Sequence, residues 1–258
     1  MTPARPEPAP ATLTVVMAVY NEAATFGQVM AQVVAREIPG VAIDVVVVES
    51  ASTDGTRAEV LEWADHPRVT VILEDAPRGK GHAVRRGLAA AHGDIVLIQD
   101  ADLEYDVADY DRLLEPLLAG RATFVLGRRT APPGSRGLRR AQPGFRAGHV
   151  LNAGHVVFLA LFNVVYAQRL HDPFTMYKVF RRDAVEGLHL ECDRFDFDWE
   201  LTAKLIRCGH QPLEIPVTYR SRSFAQGKKV RMLRDPLTWV RACFKYRFAR
   251  LHNRAPEP

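Results

Sequence analysis

The sequence predicts a single α/β domain on a mixed, mostly parallel central sheet of Rossmann-like type, flanked by helices and ending in a basic amphipathic helix. Two observations predict it. Short runs rich in Val, Ile and Leu alternate with helical patterns through the first half, as strands joined by crossover helices do. The 258 residues also suit one good-sized core better than two.

Taken in order, strands are predicted at Leu13–Val19, Ile43–Val48, Val69–Leu73, Ile95–Gln99 and Phe124–Leu126. Helices are predicted to begin near Glu22, after an acidic first turn, near Gly55, after an Asp-Gly turn, near Gly81, after a glycine-rich entry, and near Asp106. The second half reads as a long apolar helix ending near Gln168, a strand at Met176–Phe180, a helix at Phe197–Arg207 and a strand at Leu213–Tyr219, which complete the same sheet. The last helix, Asp235–Leu251, sets Leu237, Val240, Phe244 and Phe248 on one side. The organisation expected is a loose Pro- and Ala-rich tail at 1–11, a catalytic domain at 12–230, and a basic helix with tail at 231–258. Ligands should gather at the carboxyl ends of the strands.

Composition narrows the class. With 47% hydrophobic and 25% charged residues the chain is ordinary globular material. Cys192, Cys208 and Cys243 stand far apart with no zinc spacing, which reads as a reducing, cytoplasmic setting. The first eleven residues lack the apolar core of a signal peptide. Val150–Ala167 approaches a membrane span but is short and interrupted by Asn152, Gly154, His155 and Asn163, so a buried or interfacial helix is expected. The net charge of +4 is unevenly placed: Ala119–Arg146 holds arginines 121, 128, 129, 136, 139, 140 and 146 and no carboxylate. Tyr219–Arg254 is likewise basic, with Asp235 its single acid. Such asymmetry points to an anionic partner, phosphates or the cytoplasmic face of a membrane holding the protein peripherally. Nucleic acid is not expected, because no recognition helix or aromatic ribonucleoprotein motif accompanies the charge.

Four segments carry the chemistry. Ile95-Val-Leu-Ile-Gln-Asp-Ala-Asp-Leu-Glu104 ends an apolar strand in Asp100 and Asp102, two same-facing carboxylates able to hold one Mg2+ or Mn2+ on a diphosphate. Alone, an Asp-x-Asp is also an ordinary acidic loop. Ala18-Val-Tyr-Asn-Glu22 places a ring, an amide and a carboxylate at the sheet's carboxyl edge, a setting for a nucleoside. Glu49-Ser-Ala-Ser-Thr-Asp-Gly-Thr56 makes a polar turn at that same edge. Arg78-Gly-Lys-Gly-His-Ala-Val-Arg-Arg-Gly87 brings cations toward phosphate at a helix entry. No Walker loop or Gly-x-Gly-x-x-Gly fingerprint is present, which sets aside nucleotide hydrolases and dinucleotide dehydrogenases.

In this order the four segments resemble family 2 of the glycosyltransferases, with the GT-A fold, over about Leu13–Lys229. Leu170-His-Asp-Pro-Phe-Thr-Met-Tyr-Lys178 and Ser221-Arg-Ser-Phe-Ala-Gln-Gly-Lys-Lys229 are further similar to dolichyl- and polyprenyl-phosphate sugar transferases. The resemblance implies an inverting hexosyltransferase using a UDP- or GDP-sugar. It implies donor contacts at Ala18, Tyr20, Glu22, Glu49, Ser50, Asp54, Lys80, Asp100 and Ala101, and metal on Asp100 and Asp102 with Glu104 as third ligand or neighbour. Phosphate or acceptor contacts fall on Arg128, Arg129, Lys178, Arg222, Lys228 and Lys229. The sequence departs from the family where Ala18 replaces proline and where Glu49 and Ser50 replace paired aspartates, one of which meets the base in relatives.

A polyprenyl-phosphate acceptor is already anionic and needs no base, whereas a small-molecule hydroxyl does. Candidate carboxylates for catalysis are Asp102, Asp172, Asp198 and Glu200, the last two opening a helix where capping is the plain alternative. Three readings therefore stand: transfer to polyprenyl phosphate, transfer to a soluble hydroxyl acceptor, and a nucleotide-binding regulatory protein without turnover.

Overall fold

The computed structural model describes residues 10–129, 147–194, 196–220 and 235–252, with the side chains of 147–155 and 235–239 left aside. Among these residues seven strands form one sheet: β1 Ala11–Val19, β2 Val41–Glu49, β3 Val69–Leu73, β4 Ile95–Asp100, β5 Phe124–Arg129, β6 Lys178–Arg181 and β7 Leu213–Val217. Their order is β3-β2-β1-β4-β6-β5-β7. β1 runs parallel to β2 and β4, and β2 parallel to β3, while β6 is antiparallel to both β4 and β5. β7 pairs in parallel with β5 at the far edge. The sheet is thus mixed and mostly parallel, as the sequence predicts.

Among the described residues seven α-helices accompany it: α1 Phe26–Val34, α2 Thr56–Leu61, α3 Lys80–Ala90, α4 Tyr110–Leu118, α5 Ala147–Tyr166, α6 Phe197–Arg207 and α7 Asp235–Phe248. β1 buries Leu13, Val15, Val16, Met17 and Val19 almost completely, and β4 does the same with Ile95–Ile98. Burying one such side chain is worth about 1.5–3 kcal/mol, so these two central strands anchor the core and fix the register of their neighbours.

That register matters for function. Ala18 stands beside Asp100, and Val19 beside Glu49, so β1, β2 and β4 end level with one another. The chain winds from β1 to β2 to β3 on one side and then crosses to β4 on the other. The carboxyl ends of β1 and β4 therefore flank the point where winding reverses, the usual ligand crevice of such sheets.

Two helices differ from expectation. α1 starts at Phe26 rather than near Glu22, because Asn21 takes a left-handed conformation (φ 50°) and the Glu22 N–H is spent on the Thr56 hydroxyl at 2.9 Å. α7 ends at Phe248, and its inward residues are Ala242, Cys243 and Tyr246, while Val240, Phe244 and Phe248 of the expected apolar side are exposed. No helix among the described residues is long and apolar enough to cross a membrane. The segments 1–9 and 221–234, with much of the expected tail and the polar loop, lie outside the described residues.

Candidate functional site

β4 delivers Asp100 as its final residue, and Asp102 follows with only 6% exposure. The Lys80 ammonium, first residue of α3, pairs with the Asp100 carboxylate. Burial alone would lower the Lys80 pKa, but the charges of Asp100, Asp198 and Asp102 outweigh it and hold the ammonium above the ordinary lysine value. Asp198 lies in the first turn of α6, and burial raises its carboxyl against the opposing pull of Lys178 and Lys80. Its Oδ1 makes no hydrogen bond among the described residues.

The glycines flanking Lys80 create this meeting. Gly79 has φ 108°, and a Cβ there would stand 2.3 Å from the Asp193 carbonyl oxygen. A Cβ on Gly81 would stand 2.5 Å from the Cys192 carbonyl oxygen. Arg85 and His82 of α3 reach Asp193 as well. The glycine-rich segment, predicted as a phosphate entry, thus lets the backbone before α6 lie directly against α3, which brings Asp198 toward Lys80 and Asp100.

On the β1–β2 side, two predicted ligand segments are sewn to each other. The Asn21 N–H donates to Ser52 Oγ at 2.9 Å, and the Thr53 N–H donates to Asn21 Oδ1 at 2.8 Å. Asp54 accepts from the N–H groups of Ala23 and Thr56 at 3.2 and 3.1 Å. Asp54 is therefore occupied in joining the turns. Glu49, fully buried, accepts the Ser52 N–H at 2.6 Å and pairs with Arg57. Tyr20 is 37% exposed at this edge, Glu22 lies close to Thr25, and the Ala101 carbonyl accepts the Thr25 hydroxyl at 3.0 Å. Ala18 is half-buried beside Asp100.

Across the sheet, two of the predicted acceptor cations, Arg129 and Lys178, meet carboxylates predicted for catalysis. Arg129 grips Asp172 with Nε at 2.7 Å and Nη2 at 2.6 Å, and its guanidinium lies 5.3 Å from the centre of the Tyr219 ring. These two expected functional groups neutralise each other. Lys178 is fully enclosed; its ammonium donates to the Thr175 carbonyl and to the Pro173 carbonyl at 3.4 Å, and lies 3.9 Å from Asp198. Burial pushes its pKa down to about 8 against the attraction of Asp198 and Asp172. An enclosed ammonium is poorly placed for an open phosphate.

Glu200, also fully buried, accepts the N–H groups of Glu191 and Cys192 at 2.9 and 2.8 Å and pairs with Lys204 at 2.6 Å. Two residues along a helix, Asp198 and Glu200 face opposite ways. Glu104 accepts the Tyr219 hydroxyl at 2.7 Å, and its N–H donates to Asp102 Oδ1 at 3.0 Å. Among the described residues no three His, Cys, Asp or Glu side chains already converge on one metal position. Arg128 keeps its buried Nε without a hydrogen bond among the described residues. Arg222, Lys228 and Lys229 lie outside the described residues.

Sequence reasoning missed Glu74 and His82. Glu74 follows β3, is 3% exposed, and accepts the Ser50 hydroxyl at 2.8 Å, with His82 Nε2 at 3.2 Å from its other oxygen. The signal was available: β3 also ends an apolar run in a carboxylate, as β4 does.

Known proteins agree with this architecture. The model of the family described as Glycosyl transferase family 2 matches residues 14–188. Glycosyltransferase AglJ of Haloferax volcanii is 27% identical over 229 residues, 88% of this chain and 69% of its own length. Dolichol-phosphate mannosyltransferase of Pyrococcus furiosus is 25% identical over 217 residues, 84% of this chain but 58% of its own. Glucosyl-3-phosphoglycerate synthase of Mycobacterium tuberculosis, solved with Mn2+, UDP-glucose and glycerol 3-phosphate, superposes with a TM-score of 0.62 at 21% identity, covering 92% of this chain and 80% of its own. The shared architecture is the GT-A fold.

Proposed function

This chain belongs to glycosyl transferase family 2, and from that membership we propose that it is an inverting hexosyltransferase that moves a sugar from UDP or GDP to a polyprenyl phosphate. The observation that carries the donor half is the pair Asp100 and Asp102 at the reversal point of the sheet, with Lys80 on Asp100. Two carboxylates with diphosphate oxygens completing the shell are a donor set that Mg2+ and Mn2+ accept. Asp100 and Asp102 would hold the ion, which when bound supplies Lewis-acid neutralisation of the departing diphosphate. Lys80, kept charged by its neighbours, faces the same leaving group. The nucleoside is assigned to the β1–β2 edge, against Tyr20 and Ser50.

The acceptor half draws on the Pyrococcus furiosus relative and on the basic segments. Arg128 offers a guanidinium whose Nε has no hydrogen bond among the described residues, a cation suited to an acceptor phosphate. The exposed Val240, Phe244 and Phe248 share the α7 surface with Arg241, Lys245 and Arg247, as in a helix resting on an anionic cytoplasmic leaflet. A second reading, a small-molecule hydroxyl acceptor, is favoured by Asp198 alone. Its carboxyl, raised by burial and with Oδ1 unbonded among the described residues, is fit to take a proton near Lys80 and Asp100.

Thermal shift with UDP-, GDP- and dTDP-sugars in Mn2+ identifies the donor, because a ligand bound to the folded state raises Tm. Labelled sugar should then enter an organic-extractable product when polyprenyl phosphate is supplied with anionic liposomes. Efficient transfer to a water-soluble hydroxyl acceptor, with no liposome binding at low salt, selects the Asp198 reading instead.

A further inference from the structure

The sheet ends in β7 on one side and β3 on the other, and the two edges are built differently. β7 carries Pro216, which has no N–H to offer a further strand, and Glu214, whose carboxylate accepts the N–H groups of His171 and Asp172. Both features blunt an edge. β3 is Val69-Thr-Val-Ile-Leu73, five residues of strong strand preference with neither proline nor charge.

The ladder to β2 fixes which backbone groups of β3 look outward. The Val45 N–H donates to the Arg68 carbonyl and the Glu74 N–H to the Glu49 carbonyl, each at 2.8 Å. Arg68, Thr70, Ile72 and Glu74 therefore turn their backbone groups toward β2, and Val69, Val71 and Leu73 turn theirs away. The Val69 N–H donates to the His66 carbonyl at 3.0 Å. The other outward groups, the N–H and C=O of Val71 and Leu73 and the C=O of Val69, have no partner among the described residues. Leu73 beside them is 41% exposed. The ends of the strand carry opposite charge: exposed Arg68 precedes it, while Glu74 and exposed Asp75 follow it.

We propose that this edge is the interface of a homodimer, in which β3 of a second copy pairs antiparallel about a two-fold axis at Val71 and joins the two sheets into one. In that register the two Val71 residues exchange N–H and C=O, and each Leu73 N–H reaches the Val69 carbonyl of the other copy. Exposed Leu73 then packs beside Val69 of the second copy. Arg68 comes opposite Glu74 and next to Asp75 of that copy, at both ends of the contact, a match that parallel pairing would lose. The charges thus fit a second copy, since the strand is its own complement when reversed.

Sedimentation velocity and amide hydrogen exchange on the full chain, at about 1 μM and about 100 μM, test the proposal over a range suited to so small a contact. The wild type should pass from monomer to dimer across that range, and the Val71 and Leu73 N–H groups should become protected as it does. Val71→Pro removes an outward donor and leaves the ladder to β2 intact, so dimerisation should weaken about tenfold or more. Arg68→Glu and Asp75→Arg each set like charges at both ends and should each weaken it about tenfold. An equimolar mixture of those two should recover the wild-type affinity to within about twofold, because every end then joins opposite charges. Should Val71→Pro fail to fold, the mixture carries the decision. A wild-type monomer at the higher concentration overturns the proposal; protection of its Val71 N–H would then mean that another stretch of this chain covers the edge. A dimer unaffected by Val71→Pro, or a mixture that associates no better than either charge variant alone, overturns it as well.

Discussion

At the β1–β4 edge, Lys80 meets Asp100 while Asp102 and Asp198 stand close enough to act on its charge. Across β5 and β6, Arg129 closes on Asp172 with both arms of its fork, and Glu200 is shared between Lys204 and two backbone N–H groups. Both regions are rich in buried charge, but the first gathers Asp100, Asp102 and Asp198 about Lys80, with Lys178 3.9 Å from Asp198, and the second matches charge to charge. An excess of carboxylates is what the proposed metal and diphosphate would balance. A matched pair orders the backbone and has little left for a ligand. Charged residues thus need their partners counted before they are assigned a role.

The contrast can be broken most decisively at Asp102. Asp102→Ala should lower turnover by about a hundredfold or more and remove Mn2+-dependent donor binding with Tm nearly unchanged. Retention of wild-type turnover would place the donor elsewhere. Arg129→Met should act in the reverse sense, lowering stability by about 3–5 kcal/mol in urea titration because the buried Asp172 carboxylate loses the guanidinium that balances its charge, while keeping the backbone N–H of residue 129. Adding Asp172→Leu should restore much of that loss; if it restores none, the pair is more than an internal match.

Gly81→Ala probes the joint between the two regions. Its new Cβ would press the Cys192 carbonyl oxygen and lie 2.9 Å from Phe197 Cβ, so a cost of about 1–3 kcal/mol is expected, with weakened donor affinity as α6 shifts. Unchanged Tm and affinity would mean that the joint yields without consequence. The smallest effect concerns Lys178. Its folded pKa of about 8 lies below the usual lysine value of 10.5, so between those values the unfolded chain binds more protons and stability rises with pH. Relative to Lys178→Met, the wild type should therefore gain Tm from about pH 8 to pH 10. A flat difference would show that Asp198 keeps the ammonium charged.

Much of the fold was legible because its signals are local. The apolar run from Ile95 announces β4 to within one residue, and the same holds for the carboxyl ends of β1, β2 and β3. The placement of Asp100 and Asp102 at the end of β4 was legible for the same reason. The match between Arg129 and Asp172 was not, since 43 residues separate them and the pairing of β5 with β6 and β7 joins their surroundings. The roles of Asn21 and Asp54 were hidden similarly: a polar residue at a strand end reads as a ligand until its partner turn is known to sit beside it. For α7, Val240, Phe244 and Phe248 gave a readable stripe, but the smaller Ala242 and Cys243 with Tyr246 are what α5 and α6 admit.

The contact of Gly79 and Gly81 with residues 192–194 also sets an order in time. A ribosome releases α3 and β4 more than ninety residues before it releases the start of α6. Until then Lys80 and Asp100 can pair, but the backbone that lies against both glycines is absent and Asp198 has not arrived. A nascent chain therefore carries the N-terminal signatures of the candidate site before α6 can bring Asp198 to it.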